Sequence, residues 1–160
     1  MSIVYISIGS NVDAEKNIRT AIAALTEKFG NLTLSTVYKN SAIGFEGDDF
    51  LNLVVGLETE QSIPEFVDSL HSIEATQGRR RDVKKFSPRT LDMDLLLYGN
   101  DIYDSKTITI PRDEIVKYAF VLQPLAELIP EYIHPTENQT INSLWEQFDK
   151  TDLKMQPFAL

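Results

Sequence analysis

The order of periodic segments limits the folds open to this chain more than any single motif does. Residues 3–8 are apolar and β-branched, as in a central strand, and run into Gly9-Ser10-Asn11. A helix is predicted from Asp13 to Phe29, because Ile18, Ala21, Ile22, Leu25 and Phe29 share one face and Gly30 offers a stop. Residues 32–38 alternate as a second strand. Residues 50–57 form a third, in which Asn52 stands among apolar neighbours and needs hydrogen-bond partners. Between these two, residues 39–49 carry two glycines, polar side chains and no helical period, which is the make-up of a functional loop. Ser62 and Glu65 are spaced as a capping box, and Phe66, Val67, Leu70 and Ile73 continue as the stripe of a helix that Gly78 closes. Residues 91–98 supply a fourth strand, which ends at Gly99-Asn100.

Beyond that turn, residues 102–103 and 107–110 read as a hairpin closed by Pro111. Asp113 to Val116 reads as a helical turn, and residues 141–148 as a last helix anchored by Leu144 and Trp145. Residues 120–130 are apolar but broken by prolines, which predicts a buried segment that is not one regular element. Residues 151–160 carry no periodic signal and are expected to be loose. Strand, helix, strand, strand, helix, strand is the β-α-β-β-α-β order of an α+β, ferredoxin-like core. It implies a mainly antiparallel sheet flanked by helices, here extended by a C-terminal hairpin and helix. At 160 residues and 42% hydrophobic content, the chain suits one compact domain over 1–160.

Charge and composition narrow the chemistry. A net charge of −9 argues against general nucleic-acid binding, which needs a basic surface. Against that acidic background six of the fifteen Lys and Arg residues fall between Arg79 and Arg89, so the basic charge is concentrated in one place. The absence of cysteine excludes disulfides and thiolate metal sites. The apolar start lacks a basic leader, and no run approaches the roughly 20 apolar residues of a membrane span. A cytoplasmic protein with no membrane contact and no obligate protein partner is expected.

The same basic run leads into the most demanding stretch. In Leu91-Asp92-Met93-Asp94-Leu95 the apolar side chains alternate with two acids, which places both carboxylates on one face of a strand. Two acids among strong apolar neighbours need neutralising, and oxygen donors of this kind suit Mg²⁺, which takes one or two carboxylates plus phosphate oxygens and water. Arginines nearby would complete the counter-charge on a polyphosphate. An exposed strand face beside a solvated basic loop, with Arg89 paired to Asp92, accounts for each feature taken separately. The Gly9-Ser10-Asn11 turn suits a phosphate cradle or a plain strand-to-helix turn, and it lacks the Gly-Lys-Ser/Thr ending of a P-loop. Glu74, in the last turn of its helix, works against the helix dipole and is better explained by a partner. With only His71 and His134, neither next to a nucleophile, a catalytic triad or a His-rich zinc site has no support, and His134 reads as structural.

The residues from Pro88 to Gly99 closely resemble the signature of the 6-hydroxymethyl-7,8-dihydropterin pyrophosphokinases of folate biosynthesis. The resemblance continues through Ile8-Gly9-Ser10-Asn11, Phe50-Leu51-Asn52, Ile73-Glu74 with Gln77-Gly78-Arg79 and Arg81, and Phe120-Val121-Leu122 with Pro124-Leu125 and Glu127-Leu128. In all it spans residues 2–137. It implies an enzyme that moves the β,γ-diphosphate of ATP to the hydroxymethyl oxygen of a reduced pterin and releases AMP. By this resemblance Asp92 and Asp94 hold two Mg²⁺ ions, and Arg79 and Arg89 serve the phosphates as catalytic groups. Glu74, Arg81, Lys85, Phe86, Leu95 and Arg112 belong to the ATP side. The pterin stacks between Phe50 and Phe120, Asn52 bonds its ring edge, and backbone at Ser41, Ala42 and Ile43 reads the rest.

The chain departs from the family pattern at several positions, most of them at its nucleotide rim. Phe50 replaces a more usual Tyr and Phe86 a common Trp. Arg112-Asp113 follows Pro111 where His is usual, Tyr118 replaces an Arg, and His71 a frequent Gln. A non-catalytic nucleotide- or pterin-binding relative is the competing reading. A ferredoxin-like RNA-binding module is a third, opposed by the acidic charge and by the lack of an aromatic ribonucleoprotein motif.

Overall fold

The computed structural model describes residues 1–40, 49–76, 91–151 and 153–160. Strand β1 (Ser2–Ser10) is central. It pairs antiparallel with β4 (Phe50–Thr59) on one edge and with β5 (Asp92–Tyr98) on the other. On the far side of β4 lie β2 (Thr33–Leu34) and β3 (Val37–Asn40), again antiparallel. Helix α1 (Ala14–Phe29) connects β1 to β2, and α2 (Ile63–Thr76) follows β4 and precedes β5 in the chain. The order β5-β1-β4-β3 places each helix-containing connection between strands that flank a third. This is the ferredoxin-like arrangement that the element order predicts.

Each face of the sheet has its own core. Ile6, Ile8, Leu53, Val55, Met93 and Leu95 alternate onto one face, where they meet Ile18, Ala21 and Leu25 of α1 and Phe66, Leu70 and Ile73 of α2. Val54 and Leu96 point to the opposite face, against Val121, Leu122 and Leu125 of α3 (Ala119–Leu128) and Ile141 of α4 (Ile141–Gln147). Near-continuous burial along β4 follows from this double coverage. The capping box of α2 forms in full: Ser62 N–H donates to Glu65 Oε1 at 3.0 Å, and Glu65 N–H donates to Ser62 Oγ at 3.3 Å. The hairpin is formed by β6 (Tyr103–Asp104) and β7 (Thr109–Ile110), followed by a 3₁₀ turn over Asp113–Val116.

Three segments differ from the sequence expectation. The second strand is split, because Ser35 turns its side chain into the ladder: its Oγ accepts from Val54 N–H at 2.9 Å, while its own N–H donates to Val54 O at 3.0 Å. Residues 119–128 form one α-helix despite Pro124. Pro124 has no N–H, so the Phe120 carbonyl lacks its intrahelical donor, at a typical cost of about 3 kcal/mol. Full burial of Val121, Leu122 and Leu125 offsets that cost. Finally, residues 156–158 are not loose: they form β8 (Gln156–Phe158), which pairs antiparallel with β3. Unmet hydrogen-bonding capacity along β3 attracts this short strand, which has too few residues to show a period.

A carboxylate ties α3 to the sheet. Glu127 Oε1 accepts from Thr36 N–H at 2.6 Å and Thr36 Oγ1 at 2.8 Å, and Oε2 accepts from Tyr38 Oη at 2.8 Å. Burial alone would raise the Glu127 pKa, but these three donors hold it below the ordinary carboxylate value. Burial, with the Glu127 bond and charge, pushes the Tyr38 phenol up to about 12. The clamp therefore contributes fully between the two titrations. Its Glu127 part is lost as pH falls through the depressed carboxylate pKa. The Tyr38 part is intact below about 10 and is lost as pH rises towards about 12. Glu127→Gln should lower the unfolding free energy by about 1 kcal/mol, an amount limited by solvent around an exposed carboxylate. Urea titrations from acid to alkaline pH should show the deficit shrinking at both extremes.

Candidate active site

The alternation of β5 places Asp92 and Asp94 on the α3 side of the sheet, both partly exposed, between the buried Leu91, Met93 and Leu95. The register extends that surface across the sheet. Gly9 pairs with Asp92 on one side and with Asn52 on the other, so Asn52, Gly9 and Asp92 form one transverse row. Side chains in such a row share a face, and a two-strand step spans roughly 10 Å. Phe50, two residues before Asn52 and partly exposed, lies on the same face at the start of β4. Phe120 comes to this face from the first turn of α3. Asp92, Asn52 and Phe50 are thus brought to one end of one sheet face by three strands, and Phe120 reaches that face from a helix.

The close approach at Gly9 explains a glycine inside a central strand. A Cβ there would meet Asn52 Oδ1 at 2.5 Å, a separation that side chains do not tolerate. Asn52 is buried, and its Nδ2 donates to Asn40 Oδ1 at 2.7 Å. Its expected need for a partner is therefore met by a side chain. Phe120 is supported by Tyr118, whose ring stacks on it at 5.0 Å between centroids and 17° between planes. Asn11, just past β1, is 2% exposed, and neither Nδ2 nor Oδ1 has a partner among the described residues. From the sequence, Tyr118 stood out only as a departure from the family pattern and Asn11 only as part of a turn, and Asn40 was assigned no role. Only the interior glycine beside a polar strand residue signalled the close approach.

Charge is arranged around the acids. Arg112 Nη2 lies 3.5 Å from Asp94 Oδ1 and 2.9 Å from Glu114 Oε1. Burial works against the Arg112 charge. The Glu114 hydrogen bond and the Asp94, Glu114 and Asp92 charges outweigh it and leave the guanidinium more basic than usual. Glu74 is 2% exposed in the last turn of α2, on the opposite side of the sheet, and Leu95 belongs to the core on that side. As β5 ends the sheet, Glu74 and Leu95 flank it from one face and Arg112 from the other. Arg79, Arg81, Lys85, Phe86 and Arg89, together with Ser41, Ala42 and Ile43, lie outside the described residues. His134 is structural as expected: its Nδ1 accepts from Thr136 N–H at 3.2 Å and Glu137 N–H at 3.1 Å, and burial lowers its pKa.

The carboxylate pair fits a hard divalent cation. Both side chains are oxygen donors on one face of one strand, and both are partly exposed. No group of three or more His, Cys, Asp or Glu side chains among the described residues is placed to hold a metal. A pair is the number Mg²⁺ takes when substrate phosphates and water complete its shell.

Residues 5–130 match the family model described as 7,8-dihydro-6-hydroxymethylpterin-pyrophosphokinase. The chain is 35% identical, over 98% of its length and the whole of the relative, to the 2-amino-4-hydroxy-6-hydroxymethyldihydropteridine pyrophosphokinase of Haemophilus influenzae. It is 32% identical to the protein of the same name from Aquifex aeolicus, over 99% of this chain and 97% of the relative. Among solved structures, a triple-mutant HPPK-DHPS of Plasmodium falciparum superposes with a TM-score of 0.75 at 15% identity. It covers 91% of this chain and 41% of the other, and this likeness bears on the fold. With its sheet order, its paired acids and these relatives together, the chain belongs to the 7,8-dihydro-6-hydroxymethylpterin-pyrophosphokinase family.

Proposed function

We infer that the protein transfers the diphosphate of ATP to the hydroxymethyl group of 6-hydroxymethyl-7,8-dihydropterin, with release of AMP, as a cytoplasmic step of folate biosynthesis. One observation carries the assignment of the site: the row Asn52–Gly9–Asp92 joins a ring-binding half to an acidic half on one face of the sheet. Phe50 and Phe120 enclose the flat pterin, and Tyr118 fixes the plane of Phe120 from behind. Asn52, with Nδ2 engaged by Asn40, presents Oδ1 to N–H donors on the ring edge. Backbone at Ser41, Ala42 and Ile43 completes that recognition.

The hydroxymethyl oxygen then faces the acidic half of the row. Asp92 and Asp94 hold two Mg²⁺ ions, which when bound supply polarisation of the β-phosphorus and neutralise the triphosphate. Attack forms the bond from the pterin oxygen to the β-phosphorus. The bond from that phosphorus to the bridging oxygen breaks, that oxygen departs on the α-phosphate of AMP, and the hydroxyl proton passes to solvent water. Arg79 and Arg89 offset charge on the phosphates as AMP leaves, while Arg81, Lys85 and Phe86 cover the nucleotide. Glu74, Leu95 and Arg112 bind it along the edge formed by β5. The charge that arginine brings at residue 112 serves the phosphates.

Incubation with ATP, Mg²⁺ and hydroxymethyldihydropterin should yield AMP and the pterin diphosphate in equal amounts. Pterin binding without AMP formation would instead identify a binding relative. Asp92→Ala and Asp94→Ala should each lower kcat about 100-fold or more while leaving cooperative unfolding intact. Near-normal turnover in either variant would remove the metal assignment. Gly9→Ala should push Asn52 off its position and weaken pterin binding about tenfold, with nucleotide affinity changed much less. Fluorescence titration with the pterin and calorimetry with an ATP analogue would measure the two effects separately.

A further inference from the structure

Arg112 is placed where a cation at the acid pair would compete with it. Its backbone N–H donates to Leu96 O at 3.0 Å, which pins the residue beside β5, two positions from Asp94. From there Nη2 reaches Asp94 Oδ1 at 3.5 Å and Glu114 Oε1 at 2.9 Å. Its Nε is buried and has no hydrogen-bond partner among the described residues. The guanidinium is therefore charged, tethered to one of the two acids, and short of one acceptor among the described residues. A divalent ion bound to Asp94 Oδ1 and the guanidinium beside the same oxygen repel each other. A phosphate group arriving with the metal offers planar, bidentate acceptance to an arginine released from the carboxylate.

We propose that Arg112 is a resident counter-ion of the acid pair, which holds Asp94 when no cation is bound and must yield it to a divalent cation. Released, it turns to the incoming phosphates, so that cation loading and nucleotide loading are coupled through this one side chain. The proposal rests on the reading that Asp92 and Asp94 hold metal. It makes two predictions of opposite sign for the same substitution. Loss of the positive charge removes a competitor for the bare metal and also removes a ligand for the nucleotide.

Mn²⁺ serves as the probe, with free ion followed by electron paramagnetic resonance, and α,β-methylene ATP serves as the unreactive nucleotide. Arg112→Gln and Arg112→Met both remove the charge with similar bulk, so a folding defect in one leaves the other available; thermal unfolding checks both. Without nucleotide, each should bind Mn²⁺ about tenfold more tightly than the unmodified protein. At saturating Mn²⁺, each should bind α,β-methylene ATP about fivefold more weakly. Arg112→Lys, which keeps the charge, should follow the unmodified protein in the first measurement. Weakening of both ligands would mark Arg112 as merely structural and overturn the proposal, as would Mn²⁺ affinity indifferent to the charge at this position. Asp94→Asn separates the two levels. If it binds Mn²⁺ as well as the unmodified protein, the metal reading fails. If it loses Mn²⁺ while the neutral Arg112 variants bind normally, only the counter-ion role fails.

Discussion

The close approach of Asn52 to Gly9 is the constraint on which the site depends. β1 is paired on both edges, so its neighbours cannot move apart to admit a side chain at the end where β4 and β5 carry their polar residues. An absent Cβ lets the Asn52 carboxamide lie over the backbone of β1, at 2.5 Å from the position a Cβ would occupy. The Asn52 amide and the Asp92 carboxylate therefore flank β1 with no β1 side chain between them. The backbone between them belongs to a central strand, and it is rigid because its residues are held in hydrogen-bonded ladders on both sides.

Phe120 is positioned by a second constraint. Helix α3 contains Pro124 and loses one backbone bond, yet it carries Phe120 in its first turn. Its far end is fixed by Glu127, which accepts three hydrogen bonds from Thr36 and Tyr38 at the start of β3. Apolar burial holds the middle of the helix against Val54 and Leu96. Helix packing, a side-chain clamp and the Tyr118 stack thus act in series on one ring. On the same face of the sheet, Asn52 is held by Asn40 from the same strand that Glu127 anchors.

Electrostatics then divides the site. The aromatic half is neutral and held by packing and amide hydrogen bonds. The acidic half is held by charge, and a strand that places two carboxylates on one face has to be balanced by cations. Arg112 provides part of that balance from the segment after the hairpin, and Glu114 limits how fully its charge is committed to Asp94. A guanidinium shared between two acids is easier to redirect than one locked into a single bidentate pair.

Much of this was legible in the chain itself. Period-two and helical patterns identified the elements of the ferredoxin-like core, and the capping box placed the start of α2 at the right residues, because these features are encoded locally. The Asp-x-Asp pattern established that two carboxylates share a strand face, and the signature around it named the family. Local pattern did not reveal the helix through Pro124, the strand over 156–158 or the interruption at Ser35. In each case a distant partner decided the outcome: a buried face, the open edge of β3, and the ladder of β4. The sequence by itself determined which residues alternate, which caps form and which acids lie together, since those follow from the geometry of neighbouring positions. Only the tertiary structure decided that Gly9 stands between Asn52 and Asp92, that Tyr118 backs Phe120, and that Arg112 reaches Asp94, because register and packing bring together residues that are far apart in the chain.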